Sequence, residues 1–385
     1  MMTPKLMSVL AMSGLALLSF AGAAQAVEAP GTIAYIGTHG GNGPGEGIFS
    51  VRLDPKTGRL SDLKLAARIE RPTWLMLDPK RPVLYAVSET GNDGKAQGGV
   101  YSFAVDGKTA TLKQINRVAS GGGGATHLTY DPRLDTVFVG NFGGGQVGAF
   151  PVKPNGALSP LSSMQTDYGH GPHPRQTMPH AHGVTVDPSG KFVLSADMGA
   201  DRVFVYRFDA VTKTLSPAKK PFEQMPAGSG PRHLVFSPDG RFAFLDTELS
   251  AQIVSFRWDA QAGRLTQIQS QPIDKPAFKG EKSAAEVAVS HDGRFVYVSN
   301  RGENSLQVYA VDQKSGRLAL LQDIPGGGAI PWSFGIDPSG HWMIVANEPT
   351  SSIAVFRIDP ITGKLSPTGL TQSVFKPVAI AFYPP

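Results

Sequence analysis

Sixteen residues, YGHGPHPRQTMPHAHG at positions 168–183, hold four of the chain's nine histidines. Imidazole is a general acid, a general base or a metal ligand near neutral pH, so the cluster raises the question of which it serves. His180 and His182 are two apart, and in extended chain residues so spaced point the same way. His170 and His173 stand among Gly and Pro and read as loop residues near a rim. A zinc-type site would need a third ligand such as His39, His127 or Glu248, and no H-E-x-x-H spacing occurs. We therefore assign no metal and no cofactor. Further along lie Arg232 in GPRH, Glu248 in DTEL and Arg301 in SNRG. Two guanidiniums, a carboxylate and imidazoles brought to one place suit an anionic or carbonyl-bearing small ligand. There is no Gly-x-Ser-x-Gly elbow, so no serine nucleophile is assigned.

Residues so far apart meet only if the fold repeats. One pattern recurs along the chain: an alternating strand, a D-x-x-T-G-like turn and a second strand. The copies begin with FSVRLDPKTGRLSDL (49–63) and YSFAVDGKTATLKQI (101–115) and end with FRIDPITGKLSPT (356–368). Their turn positions are Asp54, Asp106, Lys153, Asp209, Asp259, Asp312 and Asp359, in steps of 47 to 56 residues. A second hairpin lies between the copies, as in VTVDPSGKFVLSAD (184–197) and VAVSHDGRFVYVSN (287–300), with Asp-Pro or Asp-Gly at its turn. Four antiparallel strands of about fifty residues, seven times over, is the period of a β-propeller. TIAYIGTHG (32–40) matches a second strand with no first before it, and PVAIAFYPP (377–385) a first strand with no second after it. The expected fold is thus all-β, a seven-bladed propeller whose ring is closed by the N-terminal strands and the C-terminal strand in one blade. Closure removes exposed sheet edges.

In such a blade the start of strand one and the end of strand two share a face with the longest connections, 90–98, 163–181 and 270–283. That mouth is the expected working face. Two residues before the first strands proper come Thr73, Thr126, His182, Arg232, Ala285, Trp332 and Val378. One residue later come Trp74, His127, Gly183, His233, Glu286, Ser333 and Ala379. The second strands end on His39, Thr90, Phe142, Met198, Glu248, Arg301 and Glu348. We assign His182, Arg232, Glu248 and Arg301 to catalysis, and His180, His39, His127, His233 and Glu348 to substrate binding.

The totals narrow the partners. The formal charge is +5 with no block of five or more Lys/Arg, which excludes a concentrated nucleic-acid stripe. There are no cysteines, so stability comes from packing and not from disulfides. The opening MMTPKLMSVLAMSGLALLSFAGAAQAVEAP has one cation, an apolar run and an Ala24-Gln25-Ala26 ending, the pattern of a secretory signal peptide. Residues 1–26 are read as a cleaved leader and 27–385 as a single propeller domain, exported to a periplasm, with no membrane insertion afterwards. The oligomeric state is open.

PHAHG (179–183), SADMGADRV (195–203), GPRHLVF (230–236), DTEL (246–249), AAEVAVSHDGRFVYVSNRGENSL (284–306) and the repeated DPxxGxL turns resemble the seven-bladed propeller lactonases. That family includes propeller-type 6-phosphogluconolactonases and the 3-carboxy-cis,cis-muconate lactonizing enzymes, and the resemblance covers residues 31–385. It implies an active site of one His, two Arg and one Glu, matched here by His182 (favoured over His180), Arg232, Glu248 and Arg301. One departure is Trp332 in IPWSF, where relatives often carry an arginine. With the leader, it points to an unphosphorylated sugar lactone, glucono-1,5-lactone before others, as the small-molecule substrate. Glu248 or the histidine would be the base and the arginines would stabilise the oxyanion; a flanking arginine would weaken Glu248 as a base. The alternatives are a 6-phosphogluconolactonase, a muconate-type lactonizing enzyme and a non-catalytic binding propeller.

Overall fold

The computed structural model describes residues 31–40 and 45–383, besides Met1. The expected leader, residues 1–26, lies outside the described residues apart from Met1. Gly31–Pro385 forms one compact unit. Its 28 strands make seven four-stranded antiparallel sheets, and among the described residues there is no helix long and apolar enough to cross a membrane.

Numbered by their third and fourth strands, the blades run in chain order. The innermost strand of blade 1 is Pro377–Phe382, followed outward by Thr32–Thr38, Ile48–Leu53 and Leu60–Ala67. Closure is antiparallel, with Ala34 opposite Phe382 and Gly37 opposite Ala379. The innermost strands of blades 2 to 7 are Leu75–Leu77, Ala125–Asp131, Ala181–Val186, Pro231–Phe236, Ala284–Val289 and Pro331–Ile336.

Second strands such as Phe192–Asp197 and Phe242–Thr247 are buried at every residue. Neighbouring blades cover both of their faces, so their sequences run nearly continuously apolar instead of alternating. Outermost strands face solvent and are mostly polar, as in Leu365–Ser373.

The Asp turns join the blades as well as the strands. Asp54 Oδ1 accepts from the amides of Lys56 and Thr57, and its carbonyl accepts from Gly58 N at 2.9 Å. Gly58 has φ +73°, and a Cβ there would meet the Trp342 ring at 2.4 Å. Trp342 opens the second strand of blade 7, and its indole N–H donates to Pro55 O at 3.0 Å. This contact seals the last seam of the ring, between blades 7 and 1.

Two of the connections expected to be long are shorter. Residues 163–166 form the outer strand of blade 3, and the outer strand of blade 5 runs to Pro272. The connections proper are 167–180 and 273–283. The outer strand of blade 3 is only four residues long, which hides it in the sequence.

Candidate active site

Six innermost strands carry a β-bulge at their entrance. In blade 4 the pairing steps from Ala181–Asp197 to Gly183–Ala196, which leaves His182 as the extra residue. A bulge breaks strand alternation and re-aims a side chain. The residues so placed are Thr126, His182, Arg232, Ala285, Trp332 and Val378, and all but Ala285 line one cavity of about 220 Å³ at the channel mouth. Gly183 allows the close approach that brings His182 beside Arg232: a Cβ there would meet Arg232 O at 2.3 Å.

Glu248 is the hub of the cavity. It follows the second strand of blade 5 and its side chain is 3% exposed. Its Oε2 accepts from Arg232 Nε and Arg301 at 3.0 Å each, and its Oε1 from Arg175 at 2.7 Å. Burial alone would raise its pKa, but Arg301, Arg232 and Arg175 together bring it down to about 2. Glu248 is therefore a fixed anion that orients three guanidiniums, and a poor proton acceptor. Arg301 also lies over the Trp332 ring, 4.5 Å from its centroid. His182 Nε2 sits 3.9 Å from Glu248 Oε2. Burial, then the charges of Arg232 and Arg301 with His233 nearby, hold His182 neutral, well below the usual imidazole range.

The histidine-rich stretch divides. His182 enters the cavity. His180 does not line it; its ring stacks on Phe142 at 4.2 Å and its Nδ1 lies 2.6 Å from Phe142 O. The two do not point the same way, because the bulge intervenes. His170 and His173 are exposed on the 167–180 connection. What that connection delivers is Arg175. The next residue, Gln176, is fully buried and donates to Met198 O at 2.7 Å and to Asp201 Oδ1 at 2.6 Å. Asp201 also accepts from the Gly228 and Gly230 amides of the following blade. Arg175 is thus held by its neighbour while its own side chain remains 46% exposed.

Across the cavity lie His39, Arg71, Glu89 and Asn92. The second strand of blade 2 ends at Ser88, so Glu89, and not Thr90, occupies the position matched by Glu248 and Arg301 in their blades. Arg71 has a left-handed backbone, φ +46°, held where its N–H donates to Glu46 Oε1 at 2.7 Å. Its Nε donates to Glu89 O at 2.8 Å and its Nη2 contacts the His39 ring. Burial and Arg71 lower the pKa of His39. Trp74, His127 and His233 form an aromatic cluster, with Trp74 to His127 at 4.1 Å and Trp74 to His233 at 5.0 Å. Of these, His127 does not line the cavity, nor does Glu348, whose carboxylate lies 3.8 Å from His39 Nδ1.

Of the nine assigned residues the cavity wall thus joins His182, Arg232, Glu248, Arg301, His39 and His233. Arg71, Asn92 and Arg175 come from connections outside the repeat, and no repeat alignment could place them. Glu286 and Trp74 stood in an aligned column but had no chemical signal of their own. Among the described residues no group of three His, Asp or Glu is arranged to hold a metal ion.

Residues 33–382 match the family model described as lactonase, 7-bladed β-propeller. The chain is 33% identical to the 6-phosphogluconolactonase of Bacillus subtilis over 350 residues, 91% of this chain and 98% of that protein. Among solved structures, the periplasmic gluconolactonase of Pseudomonas aeruginosa superposes with a TM-score of 0.85 at 33% identity, covering 92% of this chain and 99% of that one. A protein from Lactobacillus plantarum superposes with a TM-score of 0.83 at 33% identity, with the same coverage.

Proposed function

The chain belongs to the seven-bladed β-propeller lactonase family and is a lactone hydrolase; from that premise we propose that it opens an unphosphorylated sugar lactone, glucono-1,5-lactone to gluconate, in the periplasm. The observation that carries the substrate reading is Trp332. It lines the cavity with an uncharged indole beside Arg301, where a phosphate would gain from a further cation and the apolar C–H edge of a sugar ring can pack on the indole. The leader-like opening of the sequence and the similarity to a protein named periplasmic gluconolactonase support the compartment.

Hydrolysis needs a water stripped of a proton, a stabilised oxyanion and a proton for the leaving oxygen. His182, neutral at rest and within the cavity, is the base that takes the water proton: the charges of Arg232 and Arg301 that depress its pKa are offset as the oxyanion forms beside them. Arg232 and Arg301, held in place by Glu248, face the oxyanion as it forms. Three arginines share one carboxylate, so the cluster keeps excess positive charge for that moment.

The same excess charge favours a second reading, a 6-phosphogluconolactonase whose phosphate reaches the exposed Arg175. Hydrolysis of glucono-1,5-lactone and its 6-phosphate, side by side and corrected for the spontaneous rate, separates the two. We expect faster turnover of the unphosphorylated lactone, unchanged by chelator. Preference for the 6-phosphate overturns the substrate assignment. Turnover of neither moves the site to muconate-type chemistry or to binding alone. Cell fractionation, with the N-terminus of the recovered protein read for Val27, tests the compartment.

A further inference from the structure

The cavity holds two buried glutamates in opposite surroundings. Glu248 is ringed by guanidiniums. Glu286 lies on the bulged entrance of the innermost strand of blade 6, Ala284–Val289, where its N–H donates to Ser299 Oγ at 3.0 Å. Its Oε1 is 3.3 Å from His233 Nδ1, and its Oε2 accepts from Ser333 Oγ at 3.0 Å. The groups that face it are Arg232 and His233 from blade 5, with Asp246 and Glu248 behind them, and Ser333 from blade 7. Among the described residues no Lys or Arg pairs with it within 4.0 Å. Environments that drive two carboxyl groups apart assign the acid and base roles in a site.

We propose that Glu286 is the proton donor to the ring oxygen of the lactone, and that His233 returns the proton to it. The proposal rests on the lactone hydrolase reading above. Burial pushes the carboxyl up to about 8, against the pull of Arg232 and the hydrogen bonds from Ser333 and the Val287 amide. His233 is held neutral by burial and by Arg232. The contact between the two is therefore a hydrogen bond between neutral groups, with His233 Nδ1–H donating to Oε1, which leaves the carboxyl proton on Oε2 for the substrate.

The step balances as follows. Water bonds to the carbonyl carbon, its proton goes to His182, and the π pair moves to the oxygen facing Arg232 and Arg301. On collapse the carbon–ring oxygen bond breaks. Its electron pair stays on the ring oxygen, which takes the proton of Glu286 and leaves as a hydroxyl. The His182 and His233 rings are neighbours, with centroids 5.1 Å apart; in the proposal the proton held by His182 passes to His233 Nε2, and Nδ1–H restores that of Glu286. The new carboxylic acid loses its own proton to solvent.

The test compares wild type, Glu286→Gln and Ser333→Ala across pH. Glu286→Gln is isosteric and is expected to lower kcat about 100-fold or more, with KM within about threefold. In the wild type kcat falls above about pH 8 as Glu286 ionises; that alkaline fall disappears in Glu286→Gln. Ser333→Ala removes a hydrogen bond that favours the ionised form, so the fall moves to higher pH. A packing role would not move it. Infrared spectroscopy supplies a readout without lactone: the wild type minus Glu286→Gln difference carries a protonated-carboxyl band at neutral pH that titrates away in alkali. Wild-type kcat in Glu286→Gln, an unmoved alkaline limb in Ser333→Ala, or no carboxyl band overturns the proposal. The band without turnover of any sugar lactone would support the protonated Glu286 and place the fault in the substrate reading.

Discussion

Replacing Glu248 by Gln keeps the shape of the hub and removes its charge. In the folded protein this carboxyl titrates at about 2, against 4.5 when free. At about 1.4 kcal/mol per pK unit, that gap is worth about 3 kcal/mol of folding stability at neutral pH. It falls in the range expected when a buried ion pair loses one partner. The folded pKa lies below the free one, so the contribution is complete above about pH 4.5 and is lost as the pH falls through about 2. At about pH 3 linkage leaves about 1.4 kcal/mol of it. The assay is equilibrium urea denaturation of wild type and Glu248→Gln at neutral pH and at about pH 3, with the two unfolding free energies subtracted at each. The variant should be less stable by about 3 kcal/mol at neutral pH and by about half of that in acid. Equal stability at neutral pH, or a deficit that acid leaves unchanged, would falsify the view that three arginines hold a buried anion here. Lactone turnover should fall with stability at neutral pH, because Arg232 and Arg301 lose the group that aims them.

Arg301→Ala removes an oxyanion donor and should lower kcat about 100-fold to 1,000-fold in steady-state assays, with less change in KM. Trp332→Arg adds a cation to the cavity wall and should raise the ratio of 6-phosphate to unphosphorylated turnover about tenfold; an unchanged ratio would mean Trp332 does not select the substrate. Gln176→Ala strips the anchor beside Arg175. It should raise KM with little loss of kcat, and cost about 1–3 kcal/mol by denaturation because Asp201 loses a buried donor. Trp342→Ala empties the seam between blades 7 and 1 and should destabilise the fold by about 3–5 kcal/mol.

The ring was legible in the sequence because its period rests on turns whose chemistry is local. Asp54 caps its own turn, and Asp106, Asp209, Asp259, Asp312 and Asp359 do the same, while blade 3 turns on backbone bonds at Lys153. The column from Thr126 through His182 and Arg232 to Trp332 was also legible, since each residue keeps a fixed distance from its hairpin. What the column could not reveal was the bulge. Without it, His180 and His182 share a side of the chain; with it, only His182 faces the cavity. Glu89 was missed by one position because the 89–98 connection hides where the strand stops. Arg71 and Arg175 lie on connections with no counterpart in other blades. The split between Glu248 and Glu286 was beyond reach as well. It depends on which side chains surround each carboxyl, and both are simply Glu in the sequence.

The closing strand has a consequence for how the protein comes into being. Pro377–Phe382 fills the channel side of a sheet whose other three strands were made first, and His39 N is tied to Lys376 O at 2.8 Å. A chain cut short by a dozen residues would keep six blades and most of the catalytic side chains. It would also leave Thr32–Thr38 as an open edge beside the cavity and His39 without its tether. Chemistry at the mouth is thereby linked to completion of the polypeptide: truncated copies should lose turnover and expose a strand edge to aggregation or proteolysis.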